Sequence, residues 1–435
     1  MDLTINPLPY PALAELKNAV AALDPSSSYA DMFAQFQLVE VALTRAKLER
    51  AATENRLIGI ASLPHEILSH IFGVHRDLHC NSGHRQWVDC MAPSIRVSHV
   101  SATWRNAALS TASLWAAFIS LPIYTDEFYR TMIHRSREAP LEFTIRVGDP
   151  HDLPSANLLA RFIPSQVHRL RQLCIKAPLH FIDDRSVALQ VLSAPRMTLL
   201  YLENTTREGN PPPPLRRIFT HGAPMLSHFE VLGFDPRIRP PLTSVKTLAI
   251  NCVAITSHTH LALREAAVTT LCLVVKIAHG VLTSPTIQMP SLKNLYIIAP
   301  YFEIAILLEM LEAPILKDLS LHSHTPGRLM PQLHVHGTAA GKFPKLQSLR
   351  LQGALGSGIL TAFPTIHRLF IHDSPFQPVQ LGDIFDPNQD AFSTLTPHLT
   401  LIQAPERLKK SIWAFIAARR SLGLCVPRFI VASGM

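Results

Sequence analysis

The sequence predicts an α/β protein: an N-terminal helical region, an irregular solenoid of short strands, and a helical C-terminal cap. Three observations predict it. An apolar motif, usually headed by proline, returns about nine times at spacings of roughly 20–30 residues. Before residue 120, apolar residues recur at three- and four-residue steps, the period of a helix. The last thirty residues hold one amphipathic segment between a proline and a glycine. The expected divisions are 1–56 for an N-terminal helical hairpin or projecting helix, 57–120 for a small helical module, 121–403 for the repeats and 404–435 for the cap.

At 435 residues the chain exceeds a single globular core, so several domains or a repeat array are required. Charged residues make up 17%, low against the usual ~25%. The formal net charge of +8 comes from scattered residues. Its densest groups, "IHRSRE" and "RLKKSIWAFIAARR", lack aromatic platforms arranged for bases, so no nucleic-acid partner is expected. Six cysteines (Cys80, Cys90, Cys174, Cys252, Cys272, Cys425) contain no CxxC, and four lie in or beside apolar segments. Reduced, buried thiols fit better than a disulfide framework. No basic region followed by an apolar run opens the chain, and no uncharged segment reaches the ~18–20 residues that span a bilayer. An intracellular protein of cytoplasm or nucleus, with no membrane partner, is expected.

"SYADMFAQFQLVEVALTRAKLERA" places Tyr29, Met32, Phe33, Phe36, Val39 and Leu43 along one helical side, with Ser28 and Asp31 as a capping pair. Its charged far end either projects or pairs with "PALAELKNAVAAL" as a hairpin. In "SLPHEILSHIF", Pro64 fits a first helical turn and Glu66 the positive end of the helix dipole. "SIRVSHVSATWRNAALSTASLW" reads as a second amphipathic helix with Val97, Val100 and Trp104 on one side, followed by Leu114 and Trp115.

Three pieces in order, Leu63-Pro64-x-Glu66-Ile67-Leu68-x-x-Ile71-Phe72, Val97-Ser98-x-Val100-Ser101-x-x-Trp104-Arg105 and Leu114-Trp115, resemble the F-box. The resemblance covers about sixty residues. It implies the small helical module by which F-box proteins bind the Skp1 adaptor of SCF-type ubiquitin ligases, and through it a cullin. The partner-binding residues it implies are Leu63, Pro64, Ile67, Leu68, Ile71, Phe72, Val97, Val100, Trp104, Leu114 and Trp115. Leu63, Pro64, Ile67, Leu68 and Ile71 would face the adaptor as well as the module's own core. An ordinary helical-bundle core is the alternative reading of the same stripe. The segment between Phe72 and Ser94 is longer than F-boxes usually carry and leaves the middle helix unplaced. Its His75, His79, Cys80, His84 and Cys90 lack zinc-finger spacing, so a polar loop is expected and no metal.

The repeats are "APRMTLLYL", "APMLSHFEV", "MPSLKNLYI", "APILKDLSL", "FPKLQSLRL" and "FPTIHRLFI", with proline-free versions "HRLRQLCI", "TSVKTLAI" and "AVTTLCL". Their last two apolar residues alternate with an exposed one, so they point inward from a short strand. This core resembles a leucine-rich repeat, in which stacked strands bury a ridge that none could bury alone. Regular members carry Asn or Cys three residues past the final apolar position. Thr205, Pro300, His324, Ala354 and Ser374 stand there, which implies an irregular array. A segmented all-β structure is the alternative. At the end, "APERLKKSIWAFIAARRSLG" has Pro405 at a helix start, Ile412, Phe415 and Ile416 inward, and Gly423 as a stop.

Residues flanking the inward pairs would line a concave face. Tyr201, Tyr296, His322, Arg350, Arg368 and Phe370 are the candidates there for binding a protein target. Gly353, Gly356 and Gly358 have no phosphate-loop spacing and read as a repeat turn. His322, His324, His334 and His336 read as exposed strand faces rather than metal ligands, and Asp183-Asp184 as a solvated loop. Nothing forms a nucleophile, a base and an orienting acid, so no catalytic residue or cofactor is expected. The expectation is a non-catalytic substrate receptor of an SCF-type ligase; the alternative is an interaction scaffold that assembles no ligase.

Overall fold

The computed structural model describes residues 11–24, 26, 28–56, 59–80, 89–206, 215–277, 286–323, 339–353, 362–372 and 396–432. The chain forms two compact units, Met1–Phe118 with Glu127–Ala139, and Ile119–Asp126 with Pro140–Met435. No helix among the described residues is long and apolar enough to cross a membrane.

The first unit is helical. α1 (Pro11–Ala21) and α2 (Tyr29–Arg56) pack together. Glu49 accepts from the Ala12 amide at 2.9 Å, and Arg45 pairs with Glu15 at 3.0 Å. The hairpin is thus found, and so is the cap, in which Ser28 Oγ accepts from the Asp31 amide at 3.3 Å. The expected apolar side of α2 is packed only in part: Met32 and Val39 are half-buried. Tyr29, Phe33, Phe36 and Leu43 are exposed, Tyr29 by 82%, whereas Ala42 is buried. A small side chain lets two helices approach closely, and that contact needs no aromatic residue.

α3 (His65–Cys80), α4 (Met91–Ser98) and α5 (Ala102–Ser110) follow. Pro64 sits one residue ahead of α3, its carbonyl accepting from the Ile67 and Leu68 amides at 3.0 and 3.1 Å. Residues 73–80, expected in a polar loop, continue α3. The single helix expected over "SIRVSHVSATWRNAAL" is two. Ser101 breaks it by accepting from the Trp104 amide at 3.2 Å, an N-cap bond that starts a new helix. α4 opens at Met91, at the end of the segment expected to be a loop.

A thirteen-stranded sheet carries the rest, its strands neighbouring one another in chain order. β1 (Ala117–Ile119) lies where the chain passes from one unit to the other. β2 (Leu141–Arg146), β3 (Leu170–Ala177), β4 (Leu199–Asn204), β5 (His228–Leu232), β6 (Thr247–Ala254) and β7 (Thr270–Ile277) follow. β8 (Asn294–Ala299), β9 (Asp318–Ser323), β10 (Ser348–Gln352), β11 (Arg368–His372), β12 (Leu401–Ala404) and β13 (Arg428–Val431) complete it. From β2 onward every pairing is parallel. Chain-order parallel strands need a crossover each time. α6 (Asp126–Arg135) lies between β1 and β2. Among the described residues, helices of eight or more residues provide five of the later crossovers: α7 (Leu153–Ala160), α8 (Leu179–Leu189), α9 (Ser257–Glu265), α10 (Tyr301–Met310) and α11 (Lys409–Ser421).

Register aligns the repeats residue by residue. Leu295 pairs with Leu319, Leu319 with Leu349, and Leu349 with Leu369; Ile297, Leu321, Leu351 and Ile371 form the next tier. All are buried. The proline has a specific place. In "MPSLKNLYI" the Met289 carbonyl accepts from the Leu292 amide at 3.2 Å, and the same bond recurs from Ala194, Ala223, Ala313, Phe343 and Phe363. Each proline is therefore the second residue of a β-turn, where its fixed φ is favourable and no N–H is required. The residue before it is buried too, a fourth apolar position per repeat.

α11 buries Ile412, Phe415 and Ile416 as expected. It also buries Arg419, whose guanidinium donates to the carbonyls of Cys425, Thr396 and Pro397 at 2.8, 3.0 and 3.3 Å. Burial holds this guanidinium's pKa below its ordinary range, while three carbonyl acceptors satisfy its donors.

Gly353 closes β10 with φ +86°, and a Cβ there would lie 2.0 Å from the Ser323 carbonyl oxygen. Gly423 also has positive φ, +67°, but faces open space. Gly353→Ala is expected to cost about 2–4 kcal/mol, from backbone strain plus displacement of the neighbouring strand, and Gly423→Ala only about 1 kcal/mol. Urea denaturation of the two variants measures the difference.

A candidate docking surface on the third helix

α3 has two apolar rows. Leu68 and Phe72, four residues apart, are fully buried. The Phe72 ring meets Trp104 of α5 at 5.0 Å between centroids. Behind them Trp115 is fully buried; its Nε1 donates to the Ala108 carbonyl at 2.7 Å, and the Arg135 guanidinium lies 4.9 Å over its ring. Ser94 Oγ donates to the Leu114 carbonyl at 2.8 Å, joining α4 to the segment after α5. Ser69 and Thr111 share a hydrogen bond of 2.7 Å.

The second row points to solvent. Ile67 is 47% exposed, and Ile71, Val74 and Leu78 are exposed with it. Steps of four, three and four residues keep them on one side of the helix, along about 16 Å at 1.5 Å per residue. Ile60, in the turn before α3, is exposed as well. Scattered exposed apolar residues are normal, whereas these stand in one contiguous row.

The eleven residues tied to the F-box resemblance therefore divide. Ile67, Ile71 and Val100 are exposed, Pro64 is exposed, and Leu63 is half-buried. Leu68, Phe72, Val97, Leu114 and Trp115 are interior, and Trp104 is half-buried against Phe72. The five interior residues, with Trp104 against Phe72, hold the module together instead of offering contact. Val74 and Leu78 belong to the exposed row too, continuing the helical step from Ile67 beyond the residues that carry the resemblance.

On the sheet, register joins three of the six face candidates. Tyr296, Arg350 and Phe370 stand in one row with Ser320 between the first two. Tyr296 is exposed, and Arg350 lies 5.1 Å over the Phe370 ring. Arg368 stands in the adjoining row with Ser348 and Asp318, and its Nη2 reaches the Asp318 carboxylate at 3.7 Å. His322 is half-buried in the row beyond, beside Gln352. Tyr201 lies apart, in β4, and is buried. Its hydroxyl donates to Glu203 at 2.5 Å, and Glu203 also pairs with Lys176 at 2.9 Å. Burial, then the Glu203 carboxylate, hold the Tyr201 phenol well above its usual range, so it keeps its proton and its partner.

Among the described residues no three His, Cys, Asp or Glu side chains gather to hold a metal. His84, His324, His334, His336, Gly356 and Gly358 lie outside the described residues. Burial pushes the Cys174 and Cys252 thiols up to about 12, which keeps both protonated and unreactive at neutral pH. No protein-family model matches the chain, and no curated protein matches it.

The two rows of α3 differ in what their removal costs. Leu68→Ala and Phe72→Ala are expected to lose about 2–5 kcal/mol of stability, whereas Ile67→Ala and Ile71→Ala stay within about 0.5 kcal/mol of the parent. Urea midpoints of the four variants check this; equal losses in both rows would place Ile67 and Ile71 in the core.

Proposed function

We propose that the chain is the substrate-recognition subunit of an SCF-type ubiquitin ligase. On this reading α3 to α5 form an F-box that binds a Skp1-type adaptor, and through it a cullin. The strands form a solenoid of leucine-rich-repeat type that holds a protein target. The observation that carries the proposal is the exposed row Ile67, Ile71, Val74 and Leu78 on a helix whose adjoining row, Leu68 and Phe72, is locked into the module. The residues that carry the F-box resemblance form both rows at their start. A helix fixed from behind presents its outer row with little conformational entropy left to lose.

The subunit performs no chemistry of its own. It raises the effective concentration of the target's lysines near a ubiquitin thioester brought by other subunits. The adaptor contact would bury about 1,200–2,000 Å² in total, with central apolar anchors each contributing about 2 kcal/mol or more.

Capture of purified Skp1-type adaptor by the full chain tests the reading. The double variant Ile67→Asp/Ile71→Asp, at exposed positions, is expected to fold as the parent does and to lose capture by at least tenfold. Capture unchanged by that variant would overturn the assignment. Adaptor retained with no cullin would replace the ligase with a scaffold.

A further inference from the structure

Unpaired positive charge collects at one end of the open face of the sheet. At the first end, over β2 to β5, the carboxylates Glu142 and Glu203 are matched by Arg171 and Lys176, at 3.8 and 2.9 Å. At the other, over β8 to β13, the face and its leading edge carry Lys293, Lys317, Arg350, Arg368 and Arg428, against the one carboxylate of Asp318 among the described residues there. Lys293 and Lys317 are exposed, each one residue ahead of its strand. Their backbones are joined, the Lys317 amide donating to the Lys293 carbonyl at 2.9 Å, so two like charges stand on neighbouring strands. No carboxylate among the described residues pairs with either.

Beside Arg350 the face dips into a depression of about 220 Å³ lined by Asn294, Tyr296, Asp318, Ser320, Ser348 and Arg350 itself. Its floor holds an unfinished hydrogen bond. Ser348 is 2% exposed, and its hydroxyl finds no partner. It stands in register between Asp318 and Arg368, whose ion pair is long at 3.7 Å and about half exposed on both sides. An exposed pair of that length is weak and easily exchanged. An incoming carboxylate or phosphate can take Arg368 from Asp318 and accept from the Ser348 hydroxyl. Arg350, held over Phe370, supplies a second guanidinium beside it.

We propose that this end of the sheet face binds an acidic peptide segment, seating one anionic side chain between Arg350 and Arg368 and running others along Lys293 and Lys317. Its role as the place where a ligase target docks rests on the substrate-receptor reading above; the binding itself does not. A peptide fits better than a nucleic acid. Single-strand binding needs successive open aromatic platforms, and here Tyr296 presents its ring while Phe370 is covered by Arg350. The short polar groups of Asn294 and Ser320 suit peptide backbone.

Fluorescence anisotropy with the full chain tests this without any adaptor. The probes are a labelled twelve-residue peptide alternating Glu and Ser, its phosphoserine form, its Lys-for-Glu counterpart, and a labelled oligothymidylate. Both acidic peptides are expected to bind, and the phosphoserine form measures the preference for phosphate over carboxylate. The Lys peptide is expected to bind at least tenfold more weakly. Arg350→Glu and Arg368→Glu, whose positions are exposed, are each expected to weaken acidic-peptide binding at least tenfold, and Lys317→Glu about threefold, with melting temperatures kept. Arg420→Glu, the same charge change on α11, is expected to leave binding within twofold. Equal loss with Arg420→Glu, no preference over the Lys peptide, or tighter binding of the oligothymidylate would each overturn the proposal. Adaptor capture is a separate measurement, so its failure alone leaves this inference standing.

Discussion

The structure depends on one packing constraint: each parallel strand must stack its inward side chains on those of the strand before it. Leu295, Leu319, Leu349 and Leu369 occupy one tier because backbone register puts them there, and all are buried. A repeat gains about 1.5–3 kcal/mol for each side chain it buries, yet ordering its backbone costs about 1–2 kcal/mol per residue. No repeat of this length folds alone, and only neighbours on both sides complete its core. That is why the last strands meet a helical segment whose Ile412, Phe415 and Ile416 face inward. It is also why Gly353 tolerates no side chain, since the Ser323 carbonyl of the preceding strand occupies the space.

The inward tiers leave the other side of each strand to be spent freely on surface chemistry. The same alternation that buries Leu295 and Ile297 exposes Tyr296 between them. α3 follows the same logic with a helical period. Phe72 secures it to Trp104 with Leu68 buried alongside, and Ile67, Ile71, Val74 and Leu78 face outward. Both units thus fix one side of an element by burial and present the other. The proposed function takes these two presented sides as an adaptor contact and a target contact.

Much of this was legible in the residues. Strand positions followed from alternation, and proline marked six of the nine repeats, where a fixed φ and a missing N–H suit the second position of a β-turn. Direction was harder. Period says which residues of α2 share a side, but not which side is covered; Ala42 packs against α1 while Tyr29 and Phe33 stay in solvent. Ser101 hid a helix boundary inside an apolar pattern that ran through it, although a serine three residues before Trp104 is itself a cap signal. The family resemblance stopped at Phe72, so Val74 and Leu78 were assigned to an insert instead of to the helix they extend. Arg419 could not be foreseen, because its acceptors, such as Thr396, come from elsewhere in the chain.

The central claim is that the outer row of α3 is built to meet another polypeptide. Hydrogen exchange of the full chain, alone and with excess purified Skp1-type adaptor, tests it most directly. The account predicts slowed exchange confined to residues 60–80 and their immediate helical neighbours, with the strands from β2 onward unchanged. Unchanged exchange over α3, or slowing seen only on the strands, would contradict it.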